Sequence, residues 1–258
     1  MKVVLFAGGL GSRMREETEF RPKPMTEIGG RPVLWHIMKI FAHYGHKEFV
    51  ICAGYKAEMI KQFFLDYAAH TSDFTVALDN ASPPVFHNIH GEMDWSVTVV
   101  DTGLETQTGG RLAQVQKYVG DEPFFCTYGD GVAPVEIGKL LQHHQKSGKL
   151  ATMTVARPSS RFGVVETDGE GSVTSFREKP TVDDIVNIGF FVFTKSIFRD
   201  LQPETVLEQS PLKRLATEGE LSSFEHTGFW QPMDTFREYQ DLNNLWNGGH
   251  APWKIWSS

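Results

Sequence analysis

Val3-Val4-Leu5-Phe6-Ala7-Gly8-Gly9-Leu10-Gly11-Ser12-Arg13, followed shortly by Arg21-Pro22-Lys23-Pro24-Met25, decides how the rest of the chain is read. An apolar run that gives way at once to three glycines in four positions predicts a buried strand feeding a phosphate-cradling turn. Glycines let the backbone approach a ligand closely and turn through positive φ, so successive N–H groups can converge on an anion. Arg13 and Lys23 add positive charge to the same place. Prolines on both sides of Lys23 stiffen the segment and restrict where its side chain aims. The stretch predicts a site for a phosphorylated ligand.

Working outward, residues 33–41 place apolar side chains at helical spacing, and Gly45 is placed to end that helix. A short strand is expected over 49–52 and a second helix over 57–67. The opening β-α-β-α order predicts a parallel sheet. From 70 to 95 the pattern loosens into an excursion with short strands. Regularity returns with a strand over 96–101, the turn Thr108-Gly109-Gly110-Arg111, a helix over 111–119 and a strand over 124–128. The turn Gly129-Asp130-Gly131 and a helix over 135–146 follow. After about residue 150 short strands dominate, at 151–156, 162–167, 173–176 and 187–193, with Asp168-Gly169-Glu170-Gly171 as a hairpin connection. A helix over 235–246 ends at Gly248-Gly249. The tail Ala251-Pro252-Trp253-Lys254-Ile255-Trp256 is expected to dock, either on its own domain or on a neighbouring subunit.

Composition narrows the classes. The 258 residues carry 32 acidic and 25 basic side chains, a net charge of −7 that argues against non-specific nucleic-acid binding. No apolar run approaches the roughly 18 residues of a membrane span. The first apolar run is broken by glycines too early to be a signal-peptide core. Cys52 and Cys126 lie in separate strand-like runs without Cys-x-x-Cys spacing, so both are expected to be buried free thiols and the protein cytoplasmic. His87-Asn88-Ile89-His90 and His143-His144 lack companions at zinc spacing.

Three glycine loops compete for the opening stretch. A Walker A loop requires Gly-Lys-Ser/Thr, but Gly11-Ser12-Arg13 stands there. A dinucleotide fingerprint requires a third glycine where Met14 stands, and a carboxylate after the second strand, where the chain reads Cys52-Ala53-Gly54-Tyr55. A nicotinamide-dependent oxidoreductase is excluded on both counts. The third loop, Gly-Gly-x-Gly-Ser/Thr-Arg with Pro-Lys-Pro about ten residues later, is present in both halves.

On these motifs the chain resembles the sugar-1-phosphate nucleotidyltransferases, and among them the glucose-1-phosphate cytidylyltransferases. The resemblance runs end to end through Ile28-Gly29-Gly30, Trp35-His36-Ile37-Met38-Lys39, Val100-Asp101-Thr102-Gly103, Thr108-Gly109-Gly110-Arg111 and Thr127-Tyr128-Gly129-Asp130-Gly131. It continues through Glu178-Lys179-Pro180, Gly228-Phe229-Trp230-Gln231-Pro232-Met233-Asp234-Thr235 and Ala251-Pro252-Trp253-Lys254. It implies a three-layer, Rossmann-like α/β fold with a mixed, mainly parallel sheet and a smaller β-rich part. It also implies one domain over 1–258, with a nucleotide-binding half (1–150) and a sugar-binding and oligomerisation half (151–258).

The activity implied is Mg²⁺-dependent transfer of a cytidylyl group from CTP to glucose 1-phosphate, giving CDP-glucose and pyrophosphate for the deoxysugars of bacterial surface polysaccharide (lipopolysaccharide O-antigen). Homo-oligomers, hexamers by resemblance, are implied as well. The attacking phosphate is already an anion, so the chemistry calls for positioning and charge stabilisation rather than a general base.

The implied residues divide by role. Lys23 and Arg13 contact phosphate, although Arg13 could instead pair with Glu16 or Glu17. Asp130 and Asp234 hold Mg²⁺, each with a turn or helix N-cap as the alternative. Phe6, Ala7, Gly8, Gly9, Leu10, Gly11, Ser12 and Thr106 frame the nucleotide, with Gly109, Gly110, Arg111 and Gly129. Lys179 grips the sugar phosphate, and Glu178 and Asn187 lie beside the sugar. One departure stands out: Asn187-Ile188-Gly189-Phe190-Phe191 carries Ile188 where the family has glycine, which adds bulk near the sugar. The alternatives are the same chemistry on another pyrimidine triphosphate or sugar phosphate and, from a different class, a non-catalytic nucleotide-sugar-binding subunit.

Overall fold

The computed structural model describes residues 1–79, 82–88, 91–158, 162–178, 181, 184–199 and 201–257. The opening apolar run forms β1 (Lys2–Ala7), and the Arg13 segment passes into a single helical turn, α1 (Arg15–Thr18). A 3₁₀ turn over Lys23–Met25 leads to a small hairpin, β2 (Glu27–Ile28) and β3 (Arg31–Pro32), that turns on Gly29-Gly30 with both glycines at positive φ. Helix α2 (Val33–His43), strand β4 (Glu48–Ala53) and helix α3 (Ala57–Leu65) fall where periodicity places them. The second helix stops short of residue 67, and α4 (Tyr67–Thr71) follows separately.

Among its described residues the excursion contains one exposed hairpin, β5 (Asp73–Thr75) and β6 (Val85–His87). Strand β7 (Ser96–Asp101), helix α5 (Thr108–Val119) and strand β8 (Phe124–Tyr128) come next. They are followed by the short β9 (Gly131–Val132) and α6 (Ile137–Ser147). The second half contributes β10 (Ala151–Ala156), the hairpin β11 (Val164–Thr167) and β12 (Val173–Arg177), and β13 (Val186–Phe193). It ends with α7 (Ser210–Thr217), β14 (Leu221–Glu225), β15 (Gln231–Pro232) and α8 (Phe236–Asn247).

Seven strands form one sheet in the order β14-β10-β13-β8-β1-β4-β7. It is mixed but mainly parallel, because only the pairings of β13 with β10 and with β8 are antiparallel. Of the strands after residue 150, β10, β13 and β14 extend the central sheet. The β-rich part outside it is the β11–β12 hairpin, together with β15, which pairs with β9.

Strand β1 is covered on both faces. Val3, Leu5 and Ala7 enter one apolar core, and Val4 and Phe6 enter the other. The period of two thus explains why every residue of the run is apolar. Its neighbours are β4 on one side and β8 on the other, so chain order reverses at β1, and the carboxyl ends of β1 and β8 flank a switch point.

The tryptophan-bearing tail docks on its own chain. Trp253 is fully buried, and the His36 ring on α2 is ringed by Trp35, Trp246, Trp253 and Trp256. Trp246 belongs to α8, and its indole fills the space where a Cβ on Gly29 would sit, 1.9 Å away. Asn243 of α8 accepts from the Gly29 N–H at 3.0 Å and donates to the Glu27 carbonyl at 3.2 Å. The cage thereby locks α8 against the hairpin that follows Lys23.

Candidate active site

A cavity of 320 Å³ opens at the switch point. On one wall runs the glycine loop from the end of β1. The backbone N–H groups from Gly9 to Arg13 are not engaged by any described residue, so they remain available to an anion. Gly11 takes φ +63, and a Cβ there would stand 2.6 Å from Thr18 Cγ2. Phe6, Ala7, Gly8, Gly9, Ser12 and Thr106 all border this cavity, whereas Leu10 projects to solvent.

The opposite wall carries the charged cluster. Lys23 is only 7 % exposed, and its Nζ donates to Asp130 Oδ2 at 2.7 Å and to Asp234 Oδ1 at 2.6 Å. The second oxygen of Asp234 pairs with Arg13 at 3.0 Å, so Arg13 bonds neither Glu16 nor Glu17 here. Sheet register explains why two aspartates far apart in sequence meet. Strands β9 and β15 pair Gly131 with Pro232 and Val132 with Gln231, and the Met233 N–H continues the ladder to the Asp130 carbonyl at 2.8 Å.

Asp234 is not the cap of the helix it precedes. Thr235 caps α8, and Glu238 closes a capping box that also holds the Asp234 N–H at 2.8 Å. The carboxylate is therefore left to face Lys23. Gly129, between Tyr128 and Asp130, hydrogen-bonds the Phe6 carbonyl at 2.9 Å, and a Cβ there would come within 2.6 Å of that oxygen.

The second turn expected to hold the nucleotide is used differently. Helix α5 begins at Thr108 rather than at residue 111, so Gly109 and Gly110 are already helical. Their N–H groups donate to the Thr205 carbonyl at 2.9 and 3.2 Å, and a Cβ on Gly110 would lie 2.1 Å from the Pro203 oxygen. These glycines are required for packing by the segment before α7, and their donors are already occupied.

Arg111 is likewise committed. It is 5 % exposed, and its Nη1 donates to Thr102 Oγ1, the Gly103 carbonyl and the Ala53 carbonyl at 2.7, 2.8 and 3.2 Å. Its Nη2 reaches the Gly8 and Leu104 carbonyls at 3.0 and 3.1 Å. A Cβ on Gly8 or Gly54 would fall 2.0 or 2.4 Å from Nη1. The guanidinium borders the cavity but ties together the ends of β1, β4 and β7 from behind. Gly8 is thus a glycine because of Arg111, a reason the loop's own sequence does not reveal.

A smaller cavity of 220 Å³ adjoins the first and shares Arg13, Tyr128, Asp130 and Asp234 with it. Asn187, Ile188 and Trp230 line its far side. The antiparallel direction of β13 puts its first residues beside the carboxyl end of β8, which brings Asn187 to the site. Ile188 borders this cavity with its side chain buried. Glu178 lies exposed at the end of the β11–β12 hairpin, close to Gly163, and lines neither cavity. Lys179 lies outside the described residues.

Two residues absent from the sequence-based set are Tyr128, which borders both cavities, and Glu208, to which its hydroxyl donates. Tyr128 sits inside a recognisable motif, whereas nothing in the sequence marks Glu208. Burial and the Glu208 charge push the Tyr128 phenol well above its ordinary pKa.

Two carboxylates that share one ammonium supply hard oxygen donors at a single point, the donor set that a divalent cation such as Mg²⁺ takes together with ligand phosphates. Among the described residues no group of three or more His, Cys, Asp or Glu forms a complete protein cage. The donor set therefore fits a cation that arrives with a phosphate ligand.

Carboxylates facing an anion cradle are compatible with a polyphosphate only when cations stand between them, and that defines a nucleotide-handling α/β enzyme. The chain belongs to the nucleotidyl transferase family, whose model matches residues 2–244. It is 49% identical to the glucose-1-phosphate cytidylyltransferase of Salmonella typhi over 99% of this chain and 100% of that one. It is 42% identical to a probable glucose-1-phosphate cytidylyltransferase of Bacillus subtilis, with the same coverage. Among solved structures, HddC from Yersinia pseudotuberculosis superposes with a TM-score of 0.69 at 20% identity, over 95% of this chain and 99% of that one. A UDP-glucose pyrophosphorylase complexed with UDP-glucose gives 0.69 at 17% identity, over 96% and 98%. These last two likenesses bear on the fold alone. No helix among the described residues is long and apolar enough to cross a membrane.

Proposed function

We propose that the chain transfers a cytidylyl group from CTP to α-D-glucose 1-phosphate, releasing pyrophosphate and CDP-glucose. The observation that carries the reading is the pair of adjoining cavities whose shared wall is Arg13, Tyr128, Asp130 and Asp234. Two substrates in neighbouring cavities would meet there. The choice of CTP and glucose 1-phosphate rests on the full-length relatives.

In the reaction a phosphate oxygen of the sugar phosphate bonds to the α-phosphorus of CTP. The bond from that phosphorus to the bridging oxygen breaks, and the electron pair leaves with pyrophosphate. The nucleophile carries its own charge, so the protein's task is alignment and stabilisation of the charge building on the α-phosphate.

The free N–H groups of Gly9 to Arg13 are placed to receive the triphosphate, with Phe6, Ala7, Gly8 and Thr106 framing the nucleoside. Asp130 and Asp234 would hold Mg²⁺, which when bound neutralises phosphate charge at the reacting centre. Lys23 and Arg13, which pair with these carboxylates here, stand where they could also meet phosphate oxygens. Asn187 serves the sugar side, and the resemblance adds Glu178 and Lys179 there. Gly109, Gly110 and Arg111 act from behind, by fixing the wall that carries Thr106 and Gly8. We further assign the chain, on the resemblance, to a cytoplasmic homo-oligomer, a hexamer, that supplies surface-polysaccharide synthesis. The 1–150 half would serve the nucleotide, and the 151–258 half the sugar and the subunit contacts.

Pyrophosphate release from a panel of triphosphates crossed with sugar 1-phosphates, with and without EDTA, tests the reading. CTP with glucose 1-phosphate should be the best pair and EDTA should abolish release. Asp130→Asn should lower turnover roughly 10²-fold or more. Equal release from UTP and CTP would overturn the cytidylyl assignment, and no release from any pair would overturn the enzyme.

A further inference from the structure

Three side chains form a hydrogen-bonded line between the walls of the two cavities. It begins with Tyr128, which borders both of them. The Tyr128 hydroxyl donates to Glu208 Oε1. The other carboxylate oxygen, Oε2, accepts from the Thr108 hydroxyl at 2.7 Å, and Thr108 Oγ1 in turn accepts from the Leu207 N–H at 2.9 Å. Thr108 belongs to the wall of the glycine-loop cavity. The line therefore runs from Tyr128, at the boundary with the sugar side, to the nucleotide side.

Its members have little freedom. The Tyr128 ring occupies the space where a Cβ on Gly189 would stand 2.2 Å away, and the Phe191 ring meets it edge-on at 5.9 Å. Every donor in the line points toward the Glu208 carboxylate, so no member can turn round without stranding a partner. Glu208 itself rides on the segment whose Pro203 and Thr205 carbonyls receive the N–H groups of Gln107, Gly109 and Gly110 at the start of α5. A carboxylate near a site for polyanions opposes their binding, and both of its oxygens are spent on hydroxyls from the two cavity walls. What it contributes is position.

We propose that Glu208 is a positioning residue that holds Tyr128 and Thr108 in one register, so that each cavity's geometry depends on the other. The proposal rests on the transfer reaction above, in which the two cavities take the two substrates. Glu208 touches neither substrate and acts through Tyr128 and Thr108.

Steady-state kinetics with CTP and glucose 1-phosphate test it, on the full chain and on Thr108→Val, Glu208→Gln and the double variant. Thr108→Val alters only the nucleotide cavity, yet it should raise the KM for glucose 1-phosphate roughly three- to tenfold, the effect of loosening one hydrogen bond to a charged group. Glu208→Gln should raise the KM for both substrates, with the melting temperature nearly unchanged. In the Glu208→Gln background, Thr108→Val should add less than about twofold, because the line is already broken. The inference is overturned if Thr108→Val moves the KM for CTP alone, or if the two substitutions multiply. An unmodified protein that releases no pyrophosphate would instead sink the transfer reading, and the coupling with it.

Discussion

Lowering the pH from 7 to 5 should destabilise the protein through one buried ring. His36 is fully buried, and its Nε2 bonds the Ile28 carbonyl at 2.9 Å, so this nitrogen carries the proton and donates. Its Nδ1 accepts from Trp253 Nε1 at 3.4 Å. A second proton on the ring would set one N–H against another inside a cage of indoles. Burial accordingly pulls the pKa from 6.5 down to about 4. A depressed histidine pKa means that the unfolded chain binds more protons between those two values. The stabilisation is complete above 6.5 and is lost as pH falls from 6.5 toward 4. In full the gap corresponds to about 3.4 kcal/mol, of which about 2 kcal/mol is already gone at pH 5.

Urea unfolding between pH 7.5 and 4.5 measures the effect. Four tryptophans surround the ring, so their fluorescence reports the transition. His36→Gln keeps a donor for Ile28 and removes the titration. Carboxylates and the half-buried His46, also lowered to about 4 by burial, titrate in both proteins and cancel in the difference. The stability gap between the two should close by about 2 kcal/mol on going to pH 5. Parallel curves for the two proteins would refute the reasoning. The consequence reaches the site, because the cage fixes α8, and the chain entering α8 carries Asp234.

Three further outcomes follow from the same contacts. Arg111→Lys replaces a fork with a single ammonium and strands several carbonyls, so it should cost about 3 kcal/mol and lower the melting temperature by roughly 6–12 °C; a shift within about 2 °C would show that the clamp is dispensable. Ile188→Gly widens the smaller cavity and should change the KM for the sugar phosphate several-fold while leaving that for CTP within about twofold; equal KM values for wild type and variant would remove Ile188 from the sugar site. Burial pushes the Cys52 thiol up to about 12 and raises Cys126 as well, so neither should react with a disulfide reagent at pH 8 until the chain unfolds. Rapid labelling of the native protein would contradict that burial.

Local pattern carried much of the architecture. Period-two and period-3.6 apolar spacing marked β1, α2, β4, β8 and α8, because a strand buried on both faces and a helix buried on one leave their periods in the composition. The short β14 escaped, since its existence depends on β10, a partner brought from elsewhere in the chain, and β2 and β3 escaped because two residues each are too few to show a period. Lys23 was legible from its flanking prolines, and Asp130 and Asp234 from their motifs.

The sequence by itself determined a parallel-sheet core, an anion-seeking glycine loop and the residue types of a nucleotidyl transferase. Only the tertiary structure decided which donors stay free. The two glycine turns look alike on the page, yet the N–H groups of Gly9 to Arg13 are open whereas those of Gly109 and Gly110 serve Thr205. Arg111, a phosphate ligand by its type, became an internal brace because five acceptors converge on it. A residue's type sets what it can bind, but its share of the available partners is settled by segments distant in sequence that the sheet order brings together.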